Sequence, residues 1–315
     1  MQNTMEFAFY AGFTDMCRRV GIRKAVEYAA KEGFSAVEPL EGTTGQTQTV
    51  RDVSEARELR KILADFGMRV ACYSVGTSIY RAPAAVDDLC RQVEIAAEMG
   101  SPFLHHTIAC GLTAPISDAG FASMLPELIE NACRVAETAK SYGIRCIYED
   151  QGFSVNAVEH FGKFFAAVHR SCPNTGICGD MGNIRFVDES TTDFFQAFAP
   201  HIVHVHCKDY RIHENETAGC YRTKAGRYLE NALPGTGVVD YPVCFRILRE
   251  NGYAGAFALE LEGFTANEEI LTDSNRKAMQ YCRNVWDGGI DQTVWGIKRL
   301  RKRPSPKEQK NESRP

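Results

Sequence analysis

Four short stretches end in residues able to hold a divalent cation. "IYED" carries Glu149, "CGDMGN" carries Asp180, "HVHCKD" carries His206, and "ALELEG" carries Glu260 and Glu262. Each closes a run rich in apolar, β-branched or aromatic residues, the pattern of a strand. Singly, each has an ordinary explanation: a surface carboxylate, a helix cap, a turn aspartate. Brought to one place they do not, because clustered carboxylates repel one another and resist desolvation. A divalent cation resolves the conflict. Mostly oxygen donors with one nitrogen suit Mn2+, with Mg2+ or Co2+ as alternatives, better than they suit a structural zinc. His204 lies two residues before His206. In an extended chain it shares that face, one step deeper. It reads first as a satisfied core histidine and second as a substrate contact.

The elements that must position these residues alternate along the whole chain. Strand-like runs occur at 6–12, 36–42, 69–76, 102–109, 143–150, 174–181, 201–209 and 255–263, with helical patterns such as "VSEARELRKILADFG" between them. Several helical patterns end in glycine just before the next strand, a helix-stop signal. Eight β-then-α units predict a single-domain α/β fold, a closed (β/α)8 TIM barrel over residues 1–297. An open doubly wound sheet is disfavoured, because "AGFTDMCRRVG" after the first strand has no GxGxxG turn. In a parallel barrel the strand tips share one rim, so Glu149, Asp180, His206 and the strand-eight glutamates converge there. Residues 210–237 read as a long irregular connection over that rim, and residues 298–315 as a basic, disordered tail.

Composition narrows the function classes. The chain has 315 residues, 44% of them hydrophobic, and a net charge of -4, so nothing draws it to nucleic acid. No apolar run approaches the length of a membrane span, and no secretory leader is evident, so a cytoplasmic location is expected. Twelve cysteines are spread without a CxxC pair and read as small core hydrophobes in a reducing compartment.

"IYED", "CGDMGN", "HVHCKD", "LPGTGVVDY" and "GYAGAFALELEG" resemble the motifs of the xylose isomerase-like barrel superfamily, over residues 4–290. That superfamily includes D-tagatose 3-epimerase-like sugar epimerases, sugar-phosphate isomerases, inosose dehydratases and endonuclease IV. The resemblance implies metal ligands Glu149, Asp180, His206 and Glu260, with Glu262 as the rival for the last position. It also implies a sugar isomerase or epimerase, in which Glu149 and Glu260 move a proton next to a carbonyl through an enediolate. The alternative is a lyase or dehydratase acting on a 3-keto sugar or glycoside, resembling subunits of C-glycoside deglycosidases. An endonuclease IV-type nuclease ranks below both, because only eight histidines exist and the charge is negative. A non-catalytic sugar-binding barrel is disfavoured by the intact ligand set. Two departures weigh against an ordinary ketose 3-epimerase: Asn183 stands where such enzymes have histidine, and Ile212, beside Arg211, where they have arginine.

Lys208 and Glu38 are expected either to touch substrate or to support the ligands. The alternatives are a rim salt bridge of Lys208 with Asp209 and an ordinary strand-end carboxylate for Glu38. Further substrate contacts are expected from Asn183 and one of His105 and His106. Adjacent strand residues face opposite ways, and the reading places His106 inward. The expected partner is a small sugar or sugar derivative, with no nucleic acid and no membrane. A homo-oligomer is expected, or a hetero-subunit in the case of a glycoside lyase.

Overall fold

The expected strand–helix alternation is present in the computed structural model, which describes residues 5–42, 50, 52–109 and 115–288. The first five repeats run β1 (Phe7–Phe9), α1 (Phe13–Val20), α2 (Ile22–Lys31), β2 (Ala36–Val37), β3 (Leu40–Gly42), α3 (Val53–Asp65), β4 (Arg69–Val70), β5 (Tyr73–Gly76), α4 (Pro83–Glu98), β6 (Phe103–His106), α5 (Asp118–Ser141), β7 (Arg145–Glu149) and α6 (Val158–Ser171). The chain continues through β8 (Thr175–Asp180), α7 (Thr191–Phe198), β9 (Ile202–Cys207), β10 (Asp209–His213), β11 (Tyr221–Arg222), β12 (Tyr228–Ala232), α8 (Tyr241–Glu250), β13 (Phe257–Leu259) and α9 (Glu268–Trp286).

The wall is parallel and runs β3-β5-β6-β7-β8-β9-β13-β1-β2-β4. Each of β2/β3 and β4/β5 is one stave in two pieces, so ten segments make the eight staves of a barrel, closed where β13 pairs with β1. Pro39 has no N–H, and its position splits β2 from β3. Beyond the split, Thr14 Oγ1 stands in for a neighbouring strand by accepting from Leu40 N and donating to Leu40 O, both at 3.1 Å.

Strand alternation sorts the residues into two layers. Phe7 and Phe9 of β1 point out to the helices, where the Phe9 ring meets Phe13, Tyr28 and Phe34 at 5.2–5.8 Å. Each such buried ring contributes roughly 1.5–3 kcal/mol. Ala8 and Tyr10 point in and join Ala36, Ala71, Ala256 and Ala258, while Cys72, Ile147 and Cys178 form a second inner cluster. Eight of the eleven described cysteines are buried and all eleven are free, as core hydrophobes should be. Cys110 and the expected tail at 298–315 lie outside the described residues.

Five helices stop in the same way. After α2, α3, α4, α5 and α8, a left-handed glycine (Gly33, Gly67, Gly100, Gly143 or Gly252) turns the chain. The residue behind it bonds back five positions, as in Phe34 N to Ala29 O and Ile144 N to Ala139 O. This double-bonded stop delivers each chain into the next strand within a few residues.

Residues 210–237 are not irregular. They contain a three-stranded antiparallel sheet, β10-β12-β11, with Tyr210 opposite Asn231. Its base is clamped by Asp209, whose carboxylate accepts from the backbone N–H of Tyr210, Gly235, Gly237 and Val239 at 2.8–3.1 Å. A Cβ at Gly237 would overlap both Asp209 Oδ1 and the Tyr210 carbonyl oxygen. We therefore expect Gly237→Ala to destabilise the protein by about 1–3 kcal/mol, the usual cost of overpacking a tight site. Urea unfolding monitored by circular dichroism measures it, and an unchanged midpoint would refute the clamp.

Candidate metal centre

The late strands carry their terminal polar residues to one level at the C-terminal rim. Register places Asp180 beside His206, and Ala258, two residues before Glu260, beside the same histidine. Glu149 of β7 reaches His206 Nδ1 with Oε1 at 2.6 Å. Glu260 Oε2 lies 3.2 Å and Asp180 Oδ2 3.9 Å from that nitrogen. Ligand atoms of Glu149, Asp180, His206 and Glu260 all fall within 4.8 Å of one another. The structure thus brings together the four residues expected to hold the metal. Glu262 is exposed and opens a short 3-10 turn, away from this group.

Each ligand atom is aimed by local structure. Asp180 Oδ1 accepts from Gly182 N and Asn183 N at 2.6 Å, a turn that leaves Oδ2 facing the cluster. Gly182 must be small, since a Cβ there would come within 2.8 Å of Lys208 Cγ and the Tyr210 ring. Tyr10 stacks on the His206 ring at 4.7 Å and 29°. His206 Nε2 donates to Glu38 Oε1 at 3.0 Å, so Nδ1 is the nitrogen turned to the carboxylates.

The electrostatics are short of positive charge. Burial works against a charge on His206, but Cys178, Glu38 and Glu149 around it hold its pKa well above the ordinary histidine range. Burial raises the Glu149 carboxyl against the pull of His206. Asp180 is pushed up to about 7 by burial and by Glu260, with Lys208 pulling the other way. Asp180 Oδ2 and Glu260 Oε2 are buried and make no hydrogen bond among the described residues. Two unsatisfied carboxylate oxygens beside an imidazole nitrogen are the donor set a divalent cation takes. The residues present therefore fit one.

The expected substrate contacts divide. Lys208 is buried at the centre: its Nζ lies 2.5 Å from Glu260 Oε1, 3.6 Å from Asp180 Oδ2 and 3.2 Å from Asn183 Oδ1. Its expected alternative, a salt bridge to Asp209, is not formed, because Asp209 is taken up by the backbone clamp. Asn183 sits beside Lys208. Glu38 belongs elsewhere. It is fully buried beneath His206, the supporting place that was one of its two expected roles. The two adjacent histidines are reversed. His106 points outward, its ring edge-on to Tyr148 at 5.2 Å, and His105 points inward. His105 Nε2 lies 3.8 Å from Glu149 Oε2, and Nδ1 lies 2.9 Å from Ser74 Oγ.

Sequence reasoning missed Tyr10 and Asp150 and chose His106 over His105. Tyr10 was signalled by its place two residues after Ala8 on an inward face. Asp150, next to Glu149, is fully buried, accepts from Asp180 N at 3.3 Å, and is pushed well above the carboxylate range by burial and by Asp180 and Glu149. His105 offered no signal that separates it from His106.

A barrel wall whose β7, β8, β9 and β13 bring four possible cation ligands to one rim defines a class, and a family model assigns it. The chain belongs to the Xylose isomerase-like TIM barrel family, whose model matches residues 26–284. It is similar to an inosose dehydratase of Clostridium botulinum, 25% identical over 54% of this chain and 57% of that protein. It is also similar to a C-glycoside deglycosidase alpha subunit of Microbacterium trichothecenolyticum, 30% identical over 54% of this chain and 42% of that subunit. The chain thus spans about half the length of these curated relatives. The fold is that of a D-psicose 3-epimerase of Clostridium cellulolyticum solved with D-tagatose, with a TM-score of 0.68, 14% identity and coverage of 90% of this chain and 99% of that one.

Two outcomes follow for metal binding. Protons compete with a cation for these donors, and Asp180 releases its proton only around pH 7. Affinity for Mn2+ should therefore rise between pH 6 and pH 8, with proton release on binding. Titration calorimetry in buffers of different ionisation enthalpy measures both, and a flat profile contradicts the site. Glu260→Gln should weaken Mn2+ binding about 10–100-fold or more, the scale of a lost ligand or its support. Glu262→Gln should stay within about twofold, and the reverse order would put the wrong glutamate at the centre.

Proposed function

We propose that the protein is a divalent-metal-dependent sugar isomerase or epimerase that abstracts a proton next to a carbonyl. One observation carries the reading: the four ligand residues meet at the open end of the barrel with Glu149, a carboxylate made more basic by burial, among them. A divalent ion held by Glu149, Asp180, His206 and Glu260, with Mn2+ the best match to the donors, would polarise a carbonyl and acidify the adjoining C–H. Glu149 takes that proton, since its raised affinity for a proton brings it toward the working pH of a general base. Glu260 faces it across His206 and returns a proton from the other side, its Oε1 held by Lys208. Asn183 hydrogen-bonds a substrate hydroxyl alongside Lys208. His105 lies behind Glu149 and limits its movement.

A second reading has its own observation. The Lys208 ammonium is buried against Glu260, and it can stabilise the oxygen of a departing group. With Asn183 in place of a titratable histidine, the same proton abstraction would then end in elimination from a 3-keto sugar or glycoside. The dehydratase and deglycosidase relatives support this outcome.

Incubation with ketoses and 3-keto glycosides in deuterated water separates the two readings. An epimerase labels the carbon and keeps the skeleton, whereas a lyase releases the substituent and leaves an unsaturated product. Glu149→Gln should lower turnover and labelling together, by about 10²–10⁴-fold for a general base. Complete turnover without solvent label, shown to be direct hydride transfer between carbons, would overturn both readings.

A further inference from the structure

Glu38 has no exposed surface, yet three side chains converge on it. Ser74 Oγ donates to Oε1 at 2.5 Å, His206 Nε2 to the same oxygen at 3.0 Å, and His204 Nε2 to Oε2 at 2.7 Å. The carboxylate is thereby fixed at both oxygens. Its backbone is fixed as well, since Glu38 N bonds to Phe9 O at 3.0 Å and Pro39 follows it. His204 Nδ1 is buried with no partner among the described residues. Nε2 is therefore the nitrogen by which His204 engages Glu38. Ser74 is steadied in turn by His105 Nδ1 at 2.9 Å.

The His206 ring has only one remaining freedom. Tyr10 lies flat against it, and His105 meets it edge-on at 5.5 Å and 80°. What remains is which nitrogen presents a lone pair. A fixed anionic acceptor at Nε2 keeps the hydrogen there and leaves Nδ1 to the carboxylates. We propose that Glu38 is the positioning residue of the centre: it makes Nδ1 the ligating nitrogen of His206, and Ser74 and His204 hold Glu38 in place to do so. This rests on the metal reading above.

The test uses the full chain, stripped by chelation and titrated with Mn2+, with affinity from calorimetry and nitrogen coupling to the bound ion from pulsed electron paramagnetic resonance. The wild type should bind Mn2+ with one imidazole coupling, and His206→Ala should lose that coupling. Glu38→Met, close in length but without an acceptor, should bind about 10–100-fold more weakly and lose the coupling even at saturation. Glu38→Gln keeps an acceptor oxygen and should retain the coupling with a smaller loss of affinity. Adding Glu38→Met to His206→Ala should cost nothing further, because residues acting through one another are not additive. Wild-type affinity and coupling in Glu38→Met would overturn the proposal, as would additive losses. If Glu38→Met does not fold, a folded Glu38→Gln without coupling overturns it equally. Failure of the wild type to bind Mn2+ removes the metal reading itself, a result plainly different from binding that ignores Glu38.

Discussion

The rim depends on one imidazole held from both sides of its ring. His206 has carboxylates at each nitrogen, Glu38 below and Glu149 above, and it draws Glu260 and Asp180 to within 4 Å of the upper one. Those carboxylates are held beside one another in so dry a place by His206 together with Lys208, since like charges in a poorly solvated site repel strongly. The parallel register of β8, β9 and β13 sets their level. A slip of one residue in β9 would send His206 into the helix layer and leave the acids facing each other.

Three tiers run down the barrel axis. At the rim stand the acids with His206 and Lys208. Beneath them Glu38, His204, Ser74 and His105 form a connected polar web. Below that the inner wall reverts to alanine, cysteine and isoleucine. Removing one member of such a web is costly, because its remaining partners are then buried unpaired. The middle tier is therefore rigid for the same reason that it is fragile.

Much of this was legible in the sequence, for identifiable reasons. Glu149, Asp180, His206 and Glu260 each interrupt an apolar run at its C-terminal end, and a parallel barrel has one place for such ends. The glycine stops were legible because glycine is the residue that most readily takes the left-handed conformation that ends a helix in this way. The order of His105 and His106 was not, because "PFLHHTIA" is apolar on both sides and register alone decides which ring points in. Glu38 could be seen as a strand-end acid, but its partners lie 36 to 168 residues away, and no local pattern reveals such pairings. The antiparallel sheet after β9 left a weak signal in "YRTKAGRYLE", two β-rich flanks around a glycine turn, which the long polar stretch before it obscured.

The Asp209 carboxylate binds the first residue of that excursion, Tyr210, and also its last turn, at Gly235, Gly237 and Val239. Entry and exit are thus tied at one anion next to Lys208. The closure entropy of the intervening loop is met at its base, and it varies only slowly with loop length. The excursion is consequently a detachable module in evolutionary terms. Lineages could lengthen, trim or replace residues between the two posts and remodel what lies over the rim, while the end of β9 that carries His206 keeps its place.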